Sequence, residues 1–319
     1  MKRSITAAAA ILLSAICAYA QQWPDKPVRI IVPFAAGATP DIVARLVTER
    51  LQEQLGQTFI VENKPGASGN AGTDAVAKAA PDGATIGVSI GGPLAINTLL
   101  FAHLPYDPRK DLALITLLAT QPSALAINAS LGVNNVSELI ELIRHNPGKY
   151  NFGSIGTGSL SQLAMEAIAL KSGTQIVHVP YASSPQAVTA LMRNEVQMVC
   201  LPVISVTPQL GDRVIKLLAI STAQRSSLLP GVPTLKESGI DVQADAWMGL
   251  VAPAGVSGAI VERINHLVGE AITSPTIRQK LFAQLMEPIP GTPAQFRARI
   301  DADIARWRPV IEAAKIKVE

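Results

Sequence analysis

The sequence predicts an α/β protein of two lobes, each a mostly parallel sheet flanked by helices. Three observations predict it. Short apolar runs alternate with helical periodicity along the chain, the signature of parallel-sheet α/β folds. After residue 223 one strand-like run, Trp247-Met248-Gly249-Leu250-Val251, stands alone among helices, and one strand cannot form a sheet by itself. It must rejoin the first sheet, so the chain crosses twice between two lobes. Strand after strand also ends in small or hydroxyl residues that open a helix, so both lobes aim loops of one kind at a shared cleft.

The first 20 residues are set apart from the fold. Lys2 and Arg3 form a basic start, Ile5 to Ile16 an apolar core too short to span a bilayer, and Ala18-Tyr19-Ala20 a peptidase site. Residues 1–20 are therefore expected to be a signal peptide cleaved before Gln21. Ile16 is too bulky for the lipobox that Cys17 would need, so lipidation is not expected. The remaining chain, about 300 residues, suits two domains. Cys200 is then its single cysteine, and no intrachain disulfide can form. The formal charge of +3, less Lys2 and Arg3, leaves +1. No basic run interleaved with aromatics points to nucleic acid, and no later segment is apolar enough to span a membrane.

In the first lobe, strands are expected at 28–34, 58–62, 85–89 and 113–119, with helices at 40–55, 70–79 and around 93–100. Pro81-Asp82-Gly83 and Tyr106-Asp107-Pro108 mark turns. In the second, strands at 125–128, 150–154, 176–180, 196–201 and 214–221 alternate with helices at 136–145, 159–171 and 185–193. The third block adds the strand at 247–251 and helices near 257–272, 274–286 and 293–315. The crossings fall near Thr120-Gln121-Pro122 and Ala223-Gln224-Arg225, so lobe 1 is 21–121 with 223–319 and lobe 2 is 122–222.

The loop after the first strand sets the pattern for the cleft. Val28 to Phe34 runs into Ala35-Ala36-Gly37-Ala38, and a helix starts at once. Thr39 suits the N-cap, Pro40 the first helical position, and Asp41 the first turn, where the helix dipole favours negative charge. Backbone N–H groups without intrahelical partners at such a start can receive an anion. Any one such loop is ordinary capping. Its recurrence at Ser89-Ile90-Gly91-Gly92, Ser154 to Ser159, Tyr181 to Ser184 and Leu201-Pro202-Val203 points to a binding cleft. Ser159 and Ser184 are expected N-caps, and Pro185 repeats the device of Pro40. The candidate ligand residues are Ala36, Gly37, Ala38, Thr39, Asp41, Ser89, Gly91, Ser154, Gly156, Thr157, Gly158, Tyr181, Ser183 and Leu201.

Signs of catalysis are missing. His103, His145, His178 and His266 lie far apart without metal-ligand spacing, and His178, in a strand expected to be buried, reads as a packed, hydrogen-bonded histidine. Phe152-Gly153-Ser154-Ile155-Gly156 and Gly66-Ala67-Ser68-Gly69-Asn70 each miss one position of a nucleophile elbow. Cys200, in an apolar strand, reads as inert core. Gly156-Thr157-Gly158-Ser159 mimics a dinucleotide loop, but Val179-Pro180-Tyr181 stands where that unit needs an acid. No catalytic residue, metal or cofactor is expected. The competing readings are a secreted α/β hydrolase and a ligand-sensing receptor for a membrane sensor kinase.

Several segments together resemble one family. Trp23-Pro24-Asp25-Lys26-Pro27-Val28-Arg29-Ile30-Ile31-Val32-Pro33-Phe34 resembles the opening of the tripartite tricarboxylate transporter substrate-binding proteins, the Bug receptors. So do Val61-Glu62-Asn63-Lys64-Pro65-Gly66-Ala67, Ala80-Pro81-Asp82-Gly83 and Leu104-Pro105-Tyr106-Asp107-Pro108. His178-Val179-Pro180-Tyr181, Ala223-Gln224-Arg225, Val232-Pro233-Thr234 and Leu250-Val251-Ala252-Pro253-Ala254-Gly255 continue the series. The resemblance implies a two-lobe periplasmic binding protein, a Venus flytrap of the type II-like class. It also implies a periplasmic, monomeric receptor that delivers a small organic acid to integral membrane permease subunits.

Family receptors hold a ligand carboxylate with the loop after the first strand and a facing loop of the second lobe, helped by water. Here those loops match at Ala35 to Thr39 with Asp41, and at Ser154, Gly156, Gly158 and Tyr181. The chain departs from the family at Ala35-Ala36-Gly37-Ala38 for Pro-Pro-Gly-Gly, and at Tyr181-Ala182-Ser183-Ser184 for Tyr-Lys-Gly-Ser. Gln162 stands for a frequent histidine, and Leu201 or Pro202 for an acidic residue. These changes imply a second-lobe site more neutral and apolar than usual, suited to an aromatic or weakly polar acid rather than citrate.

Overall fold

The computed structural model describes residues 23–318; the expected signal peptide and its cleavage site lie outside them. The first sheet opens with β1 (Val28–Val32), whose Ile30 and Val32 face one side while Ile31 faces the other, the period of a strand buried on both faces. Helix α1 (Thr39–Leu55) leads to β2 (Phe59–Asn63), α2 (Asn70–Ala77) to β3 (Thr85–Ile90), and a π-helical turn at Gly92–Ile96 into the short α3 (Asn97–Leu100). Strands β1, β2 and β3 are parallel. Then β4 (Leu112–Gln121) runs through Pro122 straight into β5 (Ser123–Asn128), carrying the chain from the first sheet to the second.

The second sheet follows as α4 (Val136–Arg144), β6 (Asn151–Ser154), α5 (Leu160–Ser172), β7 (Val177–Pro180), α6 (Ser184–Met192), β8 (Met198–Pro202), α7 (Val203–Val206) and β9 (Ile215–Ile220). The chain returns in β10 (Ala246–Pro253), then α8 (Gly258–Thr273), α9 (Pro275–Ala283), β11 (Glu287–Pro288) and α10 (Pro293–Ala313). The six-stranded sheet has the order β11-β4-β10-β3-β1-β2, and the five-stranded sheet β7-β6-β8-β5-β9. The expected solitary strand at 247–251 does rejoin the first sheet, between β3 and β4.

Most strands of each sheet run one way, as expected, but the sheets are partly mixed rather than strictly parallel. Strand β10 is antiparallel to both neighbours, β11 to β4, and β5 to β8 and β9. For β5 and β10 the cause is the double crossing: a strand entering a sheet from the other lobe runs away from the hinge, while β1, β3, β6 and β8 run toward it. Two-residue β11 was not expected, and β7, read as buried, is an edge strand with Val177 45% exposed.

The return path is longer than the sequence implied. Ser221 donates to the Ser123 carbonyl, Leu235 to Ile220 and Ala244 to Ser221, each at 2.8–2.9 Å. Leu235, Ile240, Val242 and Ala244 are buried in the core around β5, β6 and α5. We therefore propose that the second boundary lies near residue 245 rather than residue 223. There Thr120 Oγ1 donates to Asp245 Oδ2 at 2.6 Å, tying the two crossings together.

Each sheet is covered on both faces. Helices α1, α8 and α9 pack on one side of the first sheet through Val43, Val47, Ile264, Val268 and Leu281; Val76, Leu94 and Phe296 cover the other. In the second sheet α4 and α5 cover Phe152, Leu125 and Met198, while α6 and α7 cover Ala124, Val199 and Leu201. Helix α10 belongs to both cores. Its Phe296, Ile300 and Ile304 pack with the first sheet, and its Trp307, Val310 and Ile311 with the second.

Candidate functional site

The loop after β1 is shaped by a buried carboxylate. The N-cap of α1 is Ala38 rather than Thr39, so Thr39 and Pro40 are the first helical residues and no side chain caps the helix directly. Asp41 does the work from inside the first turn. Its Oδ2 accepts the Gly37 N–H at 2.8 Å and the Arg45 Nε–H at 2.9 Å, and its Oδ1 accepts from Asn63 Nδ2 at 2.9 Å. Asn63 also donates to the Phe34 carbonyl at 3.0 Å, fastening the loop to the end of β2. Burial pushes the Asp41 carboxyl upward, but Arg45, the Gly37 amide and Asn63 outweigh it and hold its pKa below the usual value. At 2% exposure the Asp41 side chain braces the loop and is turned away from solvent.

What this brace leaves at the surface is backbone. Ala35, Ala36 and Gly37 are exposed, and among the described residues the amides of Ala36 and Thr39 meet no protein acceptor. Gly37 sits at φ +80° with open space where a Cβ would be. Its glycine is required by backbone conformation, not by crowding. The neighbouring loops interlock beneath: a Cβ on Gly69 would lie 2.8 Å from Pro93 Cγ and 2.9 Å from Phe34 Cζ.

Ala67 and Ser68, beside this junction, hold left-handed φ of 47° and 56° and are exposed. They were not among the sequence candidates; Pro65-Gly66 and Gly69 were the signal for a special turn. Two sequence candidates lie deeper. Ser89 is buried and shares a 3.0 Å hydrogen bond with Thr73 Oγ1. A Cβ on Gly91 would lie 3.1 Å from the Trp247 indole, so Gly91 admits that ring.

In the second lobe the loop after β6 is held by neutral groups. Ser159 caps α5, accepting the Gln162 N–H, while Gln162 Oε1 reaches back to accept the Gly158 N–H at 2.8 Å. Ser154, fully buried, bonds His178 Nε2 at 2.6 Å and the Gly156 N–H at 3.1 Å. Gly158, at φ +76°, touches the first lobe: a Cβ there would lie 2.7 Å from Leu100 Cδ1 of α3. Thr157 is exposed at the tip.

The remaining candidates divide. Ser183, not Ser184, is the N-cap of α6, with Pro185 one position further in than expected. The Tyr181 ring lies against Gly153 on the α6 side, where burial and then Glu195 raise its pKa. Leu201 is fully buried against α6 and α7 and cannot reach a ligand; it faces a helix-covered side of the sheet, which sequence position alone did not reveal.

Among the described residues, the cations nearest these loops are paired. Arg45 is paired with Asp41 at 2.9 Å, and Lys64 with Glu62 at 3.1 Å. Ser154 and His178 stand at a nucleophile–base distance, yet the hydroxyl is buried and no carboxylate among the described residues is bonded to the imidazole. A hydrolytic triad needs both access and that orienting acid. Cys200 is fully buried, and burial pushes its thiol up to about 12, so it is no nucleophile. The arrangement offers anion recognition by amides and hydroxyls.

Comparisons with known proteins agree with this architecture. Residues 43–316 match the family model described as tripartite tricarboxylate transporter family receptor. Protein BugT of Bordetella pertussis (strain Tohama I) is 32% identical over 94% of this chain and 93% of its own length. Among solved structures, that of R. palustris Rpa4515 with adipate superposes with a TM-score of 0.80 at 33% identity, covering 93% of this chain and 99% of that one. MatC (Rpa3494) of Rhodopseudomonas palustris with bound malate gives 0.75 at 30% identity, over 91% and 100%. The chain belongs to the tripartite tricarboxylate transporter receptor family.

Proposed function

We propose that this receptor captures a small carboxylate-bearing solute between its two lobes in the periplasm and passes it to integral membrane permease subunits. The observation that carries the reading is the loop after β1. It presents unpaired amides of Ala36 and Thr39 in a turn held open by the buried Asp41 carboxylate. Such a cluster at a helix start receives a carboxylate without a cationic side chain. Thr157 and Ser183, from the second lobe, are the hydroxyls that would meet the ligand as the cleft closes.

Adipate and malate are bound by two solved relatives, which supports a carboxylate for this chain too. The absence of a free cation beside the loops favours an acid with one strongly held carboxylate and a weakly polar remainder. We read the protein as a monomer that closes about its crossings near residues 121 and 245. No described helix is long and apolar enough to cross a membrane.

A thermal-shift screen of mono-, di- and tricarboxylates, followed by calorimetry, tests the reading. A ligand that binds only the folded state raises the melting temperature. If no carboxylate shifts it, or if esters are turned over at the cleft, the reading fails. Co-purification with membrane subunits tests the permease partnership, and small-angle scattering with a bound acid tests closure.

A further inference from the structure

His178 is the one titratable side chain bonded to the loops of the second-lobe cleft among the described residues. It stands on edge strand β7, its ring stacked on buried Phe152 with centroids 5.0 Å apart and planes 26° from parallel. Swinging the ring away would uncover Phe152, so its position is fixed by packing. Burial lowers its pKa, which favours the neutral imidazole. Its Nε2 lies 2.6 Å from Ser154 Oγ.

From that contact a chain of neutral hydrogen bonds runs through the whole loop after β6. Ser154 Oγ accepts the Gly156 N–H at 3.1 Å and lies 3.2 Å from the Gly156 carbonyl. That carbonyl accepts from Ser159 Oγ at 2.6 Å. Ser159 Oγ lies 2.9 Å from Ser161 Oγ, which accepts the Ile155 N–H at 3.0 Å. Residues 155 to 159 are thus knitted at both ends, with Thr157 left free at the tip.

We propose that His178 is a positioning residue for the ligand cleft: acting through Ser154, it holds the loop 155–159 in the shape that receives the ligand. This rests on the proposed carboxylate-binding function. The imidazole need not touch the ligand. It fixes the orientation of the Ser154 hydroxyl, and a wrongly turned hydroxyl cannot serve Gly156.

The test uses the mature chain, with adipate and malate as probes in calorimetry, and amide hydrogen exchange without ligand. His178→Leu should weaken probe binding about tenfold, the loss of roughly one hydrogen bond's effect. It should also speed exchange at the Gly156 amide, which His178 does not touch. His178→Gln, which keeps an amide near Ser154, should restore most of both. Ser154→Ala should match His178→Leu, and the double variant should bind no worse than either.

A merely structural histidine would instead give additive losses, no rescue by glutamine and unchanged exchange at Gly156; that pattern overturns the proposal. If His178→Leu does not fold, Ser154→Ala decides: wild-type affinity and exchange in that variant also overturn it. Failure of the wild type to bind any carboxylate overturns the function itself and the proposal with it. Bound wild type with unaffected variants overturns the proposal alone.

Discussion

The loop leaving β1 and the loop leaving β6 both start a helix, but they are tied down by different chemistry. The first is fastened by one buried charge, with Asp41 gathering Gly37, Arg45 and Asn63. The second is fastened by a relay of hydroxyls, an amide side chain and a neutral histidine. A charge-centred brace concentrates its strength in one residue, because removing it strands several donors at once. A neutral relay spreads its strength, so each link should matter less. If the proposed binding function holds, the first lobe should therefore offer the more rigid anion-binding loop, and the second a loop that can be tuned residue by residue.

The sharpest way to break this contrast is Asp41→Ala. It leaves the Gly37 amide and Asn63 Nδ2 without their acceptor, and should cost about 3 kcal/mol of stability and abolish carboxylate binding. Ser154→Ala, at the matching point of the relay, should cost about 1 kcal/mol. Chemical denaturation of both variants measures the ratio, and equal costs would erase the distinction. Acid should separate the lobes in the same way. The Asp41 pKa is depressed on folding, so its contribution is full above the unfolded value near 3.8 and is lost as pH falls toward the lower folded value. An Asp41→Asn variant should therefore lose less stability than wild type between pH 5 and pH 3, judged by urea midpoints at about those two values.

The glycines give a second, smaller test. Gly37 and Gly158 share a left-handed backbone, yet only Gly158 is also packed, against Leu100. Gly158→Ala should then cost both strain and overpacking, about 3 kcal/mol together. Gly37→Val should cost the strain alone, about 1–2 kcal/mol, and weaken binding by distorting the loop. A comparison of melting temperatures for the two variants decides whether contact with the first lobe adds to the cost.

Those two positions also show what sequence could and could not convey. Periodicity located nearly every strand and helix, because each buries apolar faces at its own period, and it required the strand at 246–253 to rejoin the first sheet. It missed β11, since two residues carry no period, and strand direction, which depends on where the chain comes from rather than on local composition. At the site, Gly37 and Thr157 were legible as turn residues exposed on loops. The inward face of Asp41 and the burial of Leu201 and Ser89 were not, because a residue's place at a strand end does not say which side a helix covers. Nor could spacing reveal that Ser154 and His178, 24 residues apart, meet across a parallel pair.

The smallest expected effect concerns the ligand's charge. With Arg45 paired to Asp41 and Lys64 to Glu62, the carboxylate of the proposed ligand would be left to amides, hydroxyls, water and the dipole of α1, which is worth roughly 0.3–1 kcal/mol at an exposed site. Thr157, exposed at the tip of the neutral loop, contributes at most one hydroxyl. Thr157→Ala should weaken binding by about 1 kcal/mol without changing stability. Affinity should also vary little with salt, since short-range hydrogen bonds are screened less than a pairing of exposed charges. Calorimetry of wild type and Thr157→Ala across a range of ionic strength measures both effects. A steep loss of affinity with salt would mean that a cationic side chain reaches the ligand after all. Arg45→Gln would then reveal whether that cation is the one now paired with Asp41, because binding would fall far more than the loss of a brace for Asp41 could explain.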